Sequence, residues 1–157
     1  MINEPKILAV EQDKFGKEIT IKLADKLLAY SPLCAFFLRQ QSKLLEKGYA
    51  FPTPQLDDTT SGAVFAEEDG QILGHIVFNH LEKRGTLWII LSAVDEDQRG
   101  RGIYTILHKY FEETAKAKGC WYISSHIHVD NHVRLKSAEK VGMKPFFYFM
   151  FKRLTND

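Results

Sequence analysis

Residues Leu87–Gly119, LWIILSAVDEDQRGRGIYTILHKYFEETAKAKG, decide how this chain is read. A hydrophobic strand over 86–94 runs into a polar loop, two glycines and then a helix. The helix carries Ile103, Ile106, Leu107, Tyr110 and Phe111 on one side and ends near Gly119. Glycine lets the backbone approach a ligand closely and adopt angles that other residues avoid. A helix start presents unpaired N–H groups and the positive end of the peptide dipoles. Strand, glycine loop and helix start together predict an anion seat, suited to phosphate or pyrophosphate, to which Arg99 and Arg101 add positive charge. Two familiar phosphate motifs are excluded. There is no GxxxxGK[ST], and no GxGxxG near the N-terminus with an acid after it.

Outward from that stretch, the pattern predicts further elements. Residues 7–10 read as a short strand after Pro5, and 14–30 as a helix from the spacing of Phe15, Ile19, Leu23 and Leu27. Ser31-Pro32 reads as the N-cap and first position of a second helix running to Lys47. The stretch 51–62 is a loop by its Pro, Asp, Thr and Gly content, long enough to face a substrate. Strands are expected over 63–67 and 71–80, joined by the Asp69-Gly70 turn. Beyond Gly119, the pattern gives a strand over 121–129, a helix over 131–141 stopped by Gly142, and an aromatic-rich strand over 144–154. The expected order is β-α-α-β-β-β-α-β-α-β, an α/β arrangement with helices on the faces of a mixed sheet.

At 157 residues the chain fits one domain, 1–157. It is 45% hydrophobic and 26% charged, which argues against disorder. The net charge of +1 gives no reason to expect a nucleic-acid binder. The halves differ: 1–78 holds 8 Lys+Arg against 11 Asp+Glu, and 79–157 holds 13 against 9. The positive C-terminal half suits an anionic ligand there. Two cysteines, Cys34 and Cys120, are too few for a disulfide framework and read as packed thiols in a reducing compartment. MINEPK lacks the apolar core of a signal peptide, and no apolar run is long enough to span a bilayer. A cytoplasmic protein, without membrane or nucleic-acid partners, is the expectation.

The segment Arg99-Gly100-Arg101-Gly102-Ile103-Tyr104 resembles the acyl-CoA-binding motif of the GCN5-related N-acetyltransferases, Arg/Gln-x-x-Gly-x-Gly/Ala. A second stretch, Asn131 to Met143 (NHVRLKSAEKVGM), resembles that family's Asn-led helix closing in Glu-Lys-x-Gly-Phe/Met. The two cover roughly residues 86–145. The resemblance implies the acyl-CoA N-acyltransferase fold, a central, mixed, mostly antiparallel sheet flanked by helices. It implies acetyl-CoA as co-substrate and a small-molecule or peptide amine as acceptor, and it admits a homodimer. The strands here at 86–94 and 121–129 would splay, and the pantetheine arm would pair with the backbone near Ala93 and Val94. The pyrophosphate would sit on the amides of Arg99, Gly100, Arg101, Gly102, Ile103 and Tyr104, and Asn131 would contact the arm or position the loop. An N–H near Val94 would polarise the thioester carbonyl.

Two positions depart from the family pattern. Tyr104 stands where the motif has Gly or Ala, and its side chain is expected to point away from the phosphates. Ala138 stands seven residues after the asparagine, where many members carry a tyrosine that protonates the thiolate. The strand 86–94 also holds no carboxylate to act as a base. The remaining candidates are His126 and His128, on one face of an alternating strand, and Tyr148 as a proton donor. An imidazole with a pKa of about 6.5 suits taking a proton near neutrality. Core or solvent-facing roles compete at each of these positions. Two other functions stay open. One is an acyl-CoA-binding module without turnover. The other is a metal enzyme on His126-x-His128, for which no third ligand has recognisable spacing, so no metal is expected. A Ser-His-Asp hydrolase is disfavoured because there is no GxSxG elbow.

Overall fold

The computed structural model describes residues 4–50, 56–57, 59–146, 150 and 152. Six strands, β1 (Lys6–Gln12), β2 (Glu18–Ala24), β3 (Ser61–Glu68), β4 (Gln71–Leu81), β5 (Thr86–Val94) and β6 (Tyr122–Ser125), form one sheet in chain order. Every neighbouring pair is antiparallel except β5 and β6, which run parallel. Three helices join them: α1 (Ser31–Glu46), α2 (Ile103–Ala117) and α3 (His132–Lys140). This is the mixed, mostly antiparallel sheet with flanking helices that the sequence implied.

Strands β3 and β4 are buried on both faces, so they read as near-continuous apolar runs. Val64, Ala66, Ile76 and Phe78 face Ile103, Leu107 and Phe111 of α2. Their neighbours Ala63, Phe65 and Val77 face Leu33, Phe36 and Phe37 of α1 on the other side. The sheet is thus the middle layer of three.

One expected helix is absent. Residues 18–24 form strand β2, and only Leu27–Ala29 makes a short 3-10 turn before α1. Ile19, Leu23 and Leu27 satisfy a helical spacing, but Glu18, Thr20 and Lys22 alternate with Ile19, Ile21 and Leu23, and the β-branched residues favour the extended form. Phe15, assigned to the helix face, is 73% exposed at the tip of the β1–β2 hairpin. Two boundaries also move. Tyr30, rather than Ser31, is the N-cap of α1, and β6 stops at Ser125 instead of continuing to 129. Most of the strand expected over 144–154, Tyr148 included, lies outside the described residues.

Strand β5 carries a bulge that matters for the site. Ile89 pairs with Phe78 and Leu91 with Val77, so Ile90 is the extra residue. Before it, Leu87 and Ile89 face α2; after it, Leu91 faces α1 and Val94 faces α2. The extra residue exchanges the two faces, and Ser92 comes to lie on the α2 side.

Candidate functional site

The ladder between β5 and β6 runs from Thr86↔Tyr122 to Ile89↔Ser125 and ends there, while β5 continues to Val94. The two strands therefore part at Ile89, leaving an open edge on the last residues of β5. Asp95 N–H donates to the Leu73 carbonyl at 2.9 Å. Backbone groups alternate sides along an antiparallel strand. Ala93, opposite His75, therefore turns its N–H and C=O toward β4, and Ser92 and Val94 turn theirs to the open side. Arg99 Nε donates to the Val94 carbonyl at 3.4 Å, in keeping with that direction.

Past β5, Gly100 and Gly102 both hold φ of +80°, and Gly102 is the N-cap of α2. A residue with Cβ is strained at such angles. Among the described residues nothing lies within 4 Å of where a Cβ would stand on either glycine, so they leave the space over this turn open. The amides at the start of α2 face it as unpaired donors.

Arg101 is not free to serve this seat. Its Nε donates to Asp13 Oδ2 at 2.6 Å and its Nη2 to Glu68 Oε1 at 2.8 Å. Nη1 bonds Gln98, and the side chain is 11% exposed. The Arg101 carbonyl also accepts from Lys14 N–H at 3.1 Å. These bonds fasten the glycine turn to the β1–β2 hairpin and to the end of β3. At the other side of the loop, Asp95 accepts from Arg39 Nη2 at 3.0 Å and Gln40 Nε2 at 2.8 Å, tying α1 to the end of β5.

Asn131 caps α3, its Oδ1 accepting from Arg134 N–H at 3.2 Å. Tyr104 folds inward. Its hydroxyl is buried beside Ser92 and Arg134, and burial raises its pKa while those two neighbours pull it back. The Arg134 guanidinium sits 5.1 Å above the Tyr104 ring centroid. Ala138 is buried in α3.

His126 and His128 follow the last residue of β6, just where the strands part. They are not on a strand and have different partners. The exposed His126 ring meets Trp88 edge-on at 5.4 Å. His128 packs 5.3 Å from Tyr49, and its Nδ1 accepts from Asp130 N–H at 3.2 Å. Among the described residues, no three His, Cys, Asp or Glu side chains come together as a metal cage. Cys34 and Cys120 are free thiols that burial holds above the usual thiol pKa. No helix among the described residues is long and apolar enough to cross a membrane. Sequence reading missed Ser92, whose direction depends on the bulge and leaves no signal in the residue pattern.

The chain matches the model of the acetyltransferase (GNAT) family over residues 25–143. No curated protein sequence matches it. Among solved structures it is similar to a ribosomal-protein-alanine N-acetyltransferase from Brucella melitensis biovar Abortus 2308 (TM-score 0.67, 18% identity, 87% of this chain and 99% of that one). It is similar to the GNAT domain of S. lividans PAT (TM-score 0.70, 15% identity, 90% of each chain). It also resembles the aminoglycoside N-acetyltransferase AAC(6')-Iy in complex with CoA (TM-score 0.59, 18% identity, 86% of this chain and 98% of that one). At these identities the likeness is one of fold.

Proposed function

The chain belongs to the GNAT acetyltransferase family, and on that premise we propose that it moves an acetyl group from acetyl-CoA to a primary amine within a ternary complex. The observation that carries this reading is the continuity of the open β5 edge, the glycine turn and the start of α2. That edge begins where the β5–β6 ladder ends at Ile89↔Ser125. An extended, amide-bearing arm fits the edge, and a pyrophosphate fits the open space over Gly100 and Gly102. When bound, acetyl-CoA supplies an activated acetyl group as a thioester.

The backbone of Ser92 and Val94 would pair with the arm, with Ala93 between them held by β4. The amides of residues 99–104 would take the pyrophosphate, Gly100, Arg101, Gly102, Ile103 and Tyr104 contributing through the backbone. The Asn131 side chain, its oxygen used as a cap, retains an NH2 group to offer the arm. An N–H of the open edge would polarise the thioester carbonyl. His126 is assigned the proton of the attacking amine. The bond into His128 Nδ1 leaves an N–H at Nε2, which can hydrogen-bond the departing thiolate without giving up its hydrogen, so the thiolate's proton comes from water or another side chain. Tyr148 is a candidate donor. No covalent enzyme intermediate is required; the protein supplies proximity and proton transfer.

Several structural relatives act on amines, among them the aminoglycoside and ribosomal-protein-alanine acetyltransferases. We extend from them only an amine acceptor, a small molecule or a peptide. The second reading, an acyl-CoA-binding module without turnover, is favoured by the buried methyl group of Ala138 where a phenol is usual. Calorimetric titration with acetyl-CoA and with ADP, followed by an amine panel with thiol release as readout, separates the two. Acetyl-CoA binding more tightly than ADP, with release on some amine, supports transfer. Tight binding without release on any amine supports the module. No binding defeats both.

A further inference from the structure

We infer that Arg134, braced on the ring of Tyr104, is the cation that meets the acyl-CoA pyrophosphate, in place of the loop arginine Arg101. The inference rests on the acyl-CoA reading above and names the residue that supplies its charge.

Amides supply only partial positive charge, and a doubly charged pyrophosphate is held more tightly where a cation stands nearby. The loop provides two arginines by sequence. Arg101 is fully engaged by Asp13, Glu68 and Gln98 and is neutralised by two carboxylates. Arg99 is exposed and folded back on the Val94 carbonyl. Arg134 comes to the first turn of α2 from α3. Its guanidinium carbon lies 5.1 Å from the ring centroid of Tyr104, the second residue of α2. That stacking fixes the head at the start of the helix whose amides form the seat.

The surroundings of Arg134 are those of a cation awaiting a partner. Among the described residues no carboxylate lies within 4.0 Å of it. Nη1 makes one long bond, 3.5 Å, to Ser137 Oγ, and Nη2 is buried without a hydrogen bond. Ser92 Oγ and Tyr104 Oη are buried close by; Arg134 and Ser92 stand near enough to the phenol to draw its pKa down, but among the described residues neither oxygen makes a hydrogen bond of full geometry. The adjoining His108 is 1% exposed, its ring 5.9 Å from that of Tyr104, and its Nε2 has no partner either. Four polar groups from β5, α2 and α3 thus converge with unused bonding capacity. Buried polar atoms are rarely left so unless something else completes them. A part-buried guanidinium with no counter-charge is costly in the free protein, and an anion beside it reduces that cost on binding.

The test compares wild type, Arg134→Met and Arg134→Lys against three ligands. Acetyl-CoA carries every phosphate, and acetyl-dephospho-CoA keeps the pyrophosphate but lacks the ribose phosphate. S-acetylpantetheine has none, and its weak binding is read by NMR titration. Arg134→Met is expected to weaken both nucleotide ligands by roughly 10- to 100-fold and to leave S-acetylpantetheine unchanged. Arg134→Lys should recover part of the loss. The ligand-free Met variant should melt at or above the wild-type temperature, since it loses an uncompensated charge; a merely structural arginine would lower it. Unchanged acetyl-CoA affinity overturns the inference. An equal loss with S-acetylpantetheine, or a loss confined to acetyl-CoA, also overturns it, because the contact would then be to the arm or to the ribose phosphate. If the wild type itself fails to bind acetyl-CoA, the acyl-CoA reading falls and this inference falls with it.

Discussion

Asp13 Oδ2 and Arg101 Nε are 2.6 Å apart although 88 residues separate them in the chain. Asp13 is the corner of the β1–β2 hairpin: its Oδ1 accepts from Phe15 N–H at 2.8 Å and Lys17 N–H at 2.9 Å. Arg101 lies between the two glycines of the anion seat. The hairpin that replaces the expected helix is therefore what locates the turn. Glu68 is the third member, shared between Arg101 and Lys17.

Breaking this network should loosen the seat, and the sign of its pH dependence follows from the carboxylates. Burial pushes the Asp13 carboxyl up, but Lys17 N–H, the Arg101 guanidinium and Phe15 N–H outweigh it, and the group ends below the usual carboxylate range. Arg101 and Lys17 hold Glu68 low as well. Groups depressed in the folded state stabilise it above their unfolded values, about 3.9 and 4.3. That contribution is lost as pH falls through the lower folded values. Thermal melts of the wild type should show this loss below about pH 4, and Asp13→Asn should flatten the acid slope while lowering the melting temperature at pH 7. Arg101→Met should lower the melting temperature and weaken acetyl-CoA binding together. An Asp13→Asn melt identical to wild type at both pH values would contradict the role given to the pair.

His75 makes a second pH prediction in a higher window. It is fully buried against Phe36, 4.8 Å centroid to centroid, and among the described residues neither ring nitrogen finds a hydrogen-bond partner. Burial lowers its pKa from 6.5 to about 4, only partly opposed by its own backbone and by Asp95. The unfolded chain therefore binds a proton between those two values and the folded chain does not. Stability is complete above pH 6.5 and declines down to about pH 4, by about 3 kcal/mol in all. His75→Phe should abolish that decline with little change at pH 7. Denaturant melts at pH 7 and 4.5 check it, and an undiminished slope in the variant would assign the pH dependence to other groups.

The fold was legible where the chain repeats one signal over many residues. Strands β3 to β5 and helices α1 and α2 show their periodicity plainly, because their apolar residues are core on one or both faces. The region 14–30 misled because Ile19, Leu23 and Leu27 satisfy both periods and the turn at Asp13 is closed by side-chain bonds that no spacing reveals. The candidate site was legible in the conformation of its backbone. The glycine turn, the helix start and the capping asparagine stand where the sequence placed them. Its side chains were not. One extra residue, Ile90, decides which face Ser92 takes, and tertiary partners decide that Arg101 is spent while Arg134 is not.

Gly102 tests the seat with little disturbance to packing. Its φ of +80° makes any Cβ strained, yet among the described residues nothing stands within 4 Å of that Cβ. Gly102→Ala should cost about 1–2 kcal/mol of stability from the backbone alone. If the open space receives the pyrophosphate, acetyl-CoA affinity should also fall by about tenfold or more, beyond anything the melting temperature explains. Calorimetry on the folded variant decides, and unchanged affinity would move the pyrophosphate elsewhere.

The assignment of His126 to the amine's proton and of His128 to a hydrogen bond on the thiolate predicts different kinetic signatures. Their positions at the parting of β5 and β6 are alike, but a backbone N–H enters His128 Nδ1 at 3.2 Å. A ring so engaged carries its hydrogen on Nε2, where it can offer a hydrogen bond but has no lone pair to take a proton. His126→Ala should therefore lower kcat/KM by about 10²-fold or more, since the amine loses its proton acceptor. His128→Ala should lower kcat by less. Its defect should shrink with a thioester whose thiol is more acidic, because a better leaving group needs less stabilisation. KM for acetyl-CoA should change little in either, as neither ring belongs to the phosphate seat. Pre-steady-state thiol release with two thioesters of different leaving-group acidity measures both effects. Identical profiles for the two variants would remove the division of labour, and wild-type rates in both would hand proton transfer to water or to Tyr148.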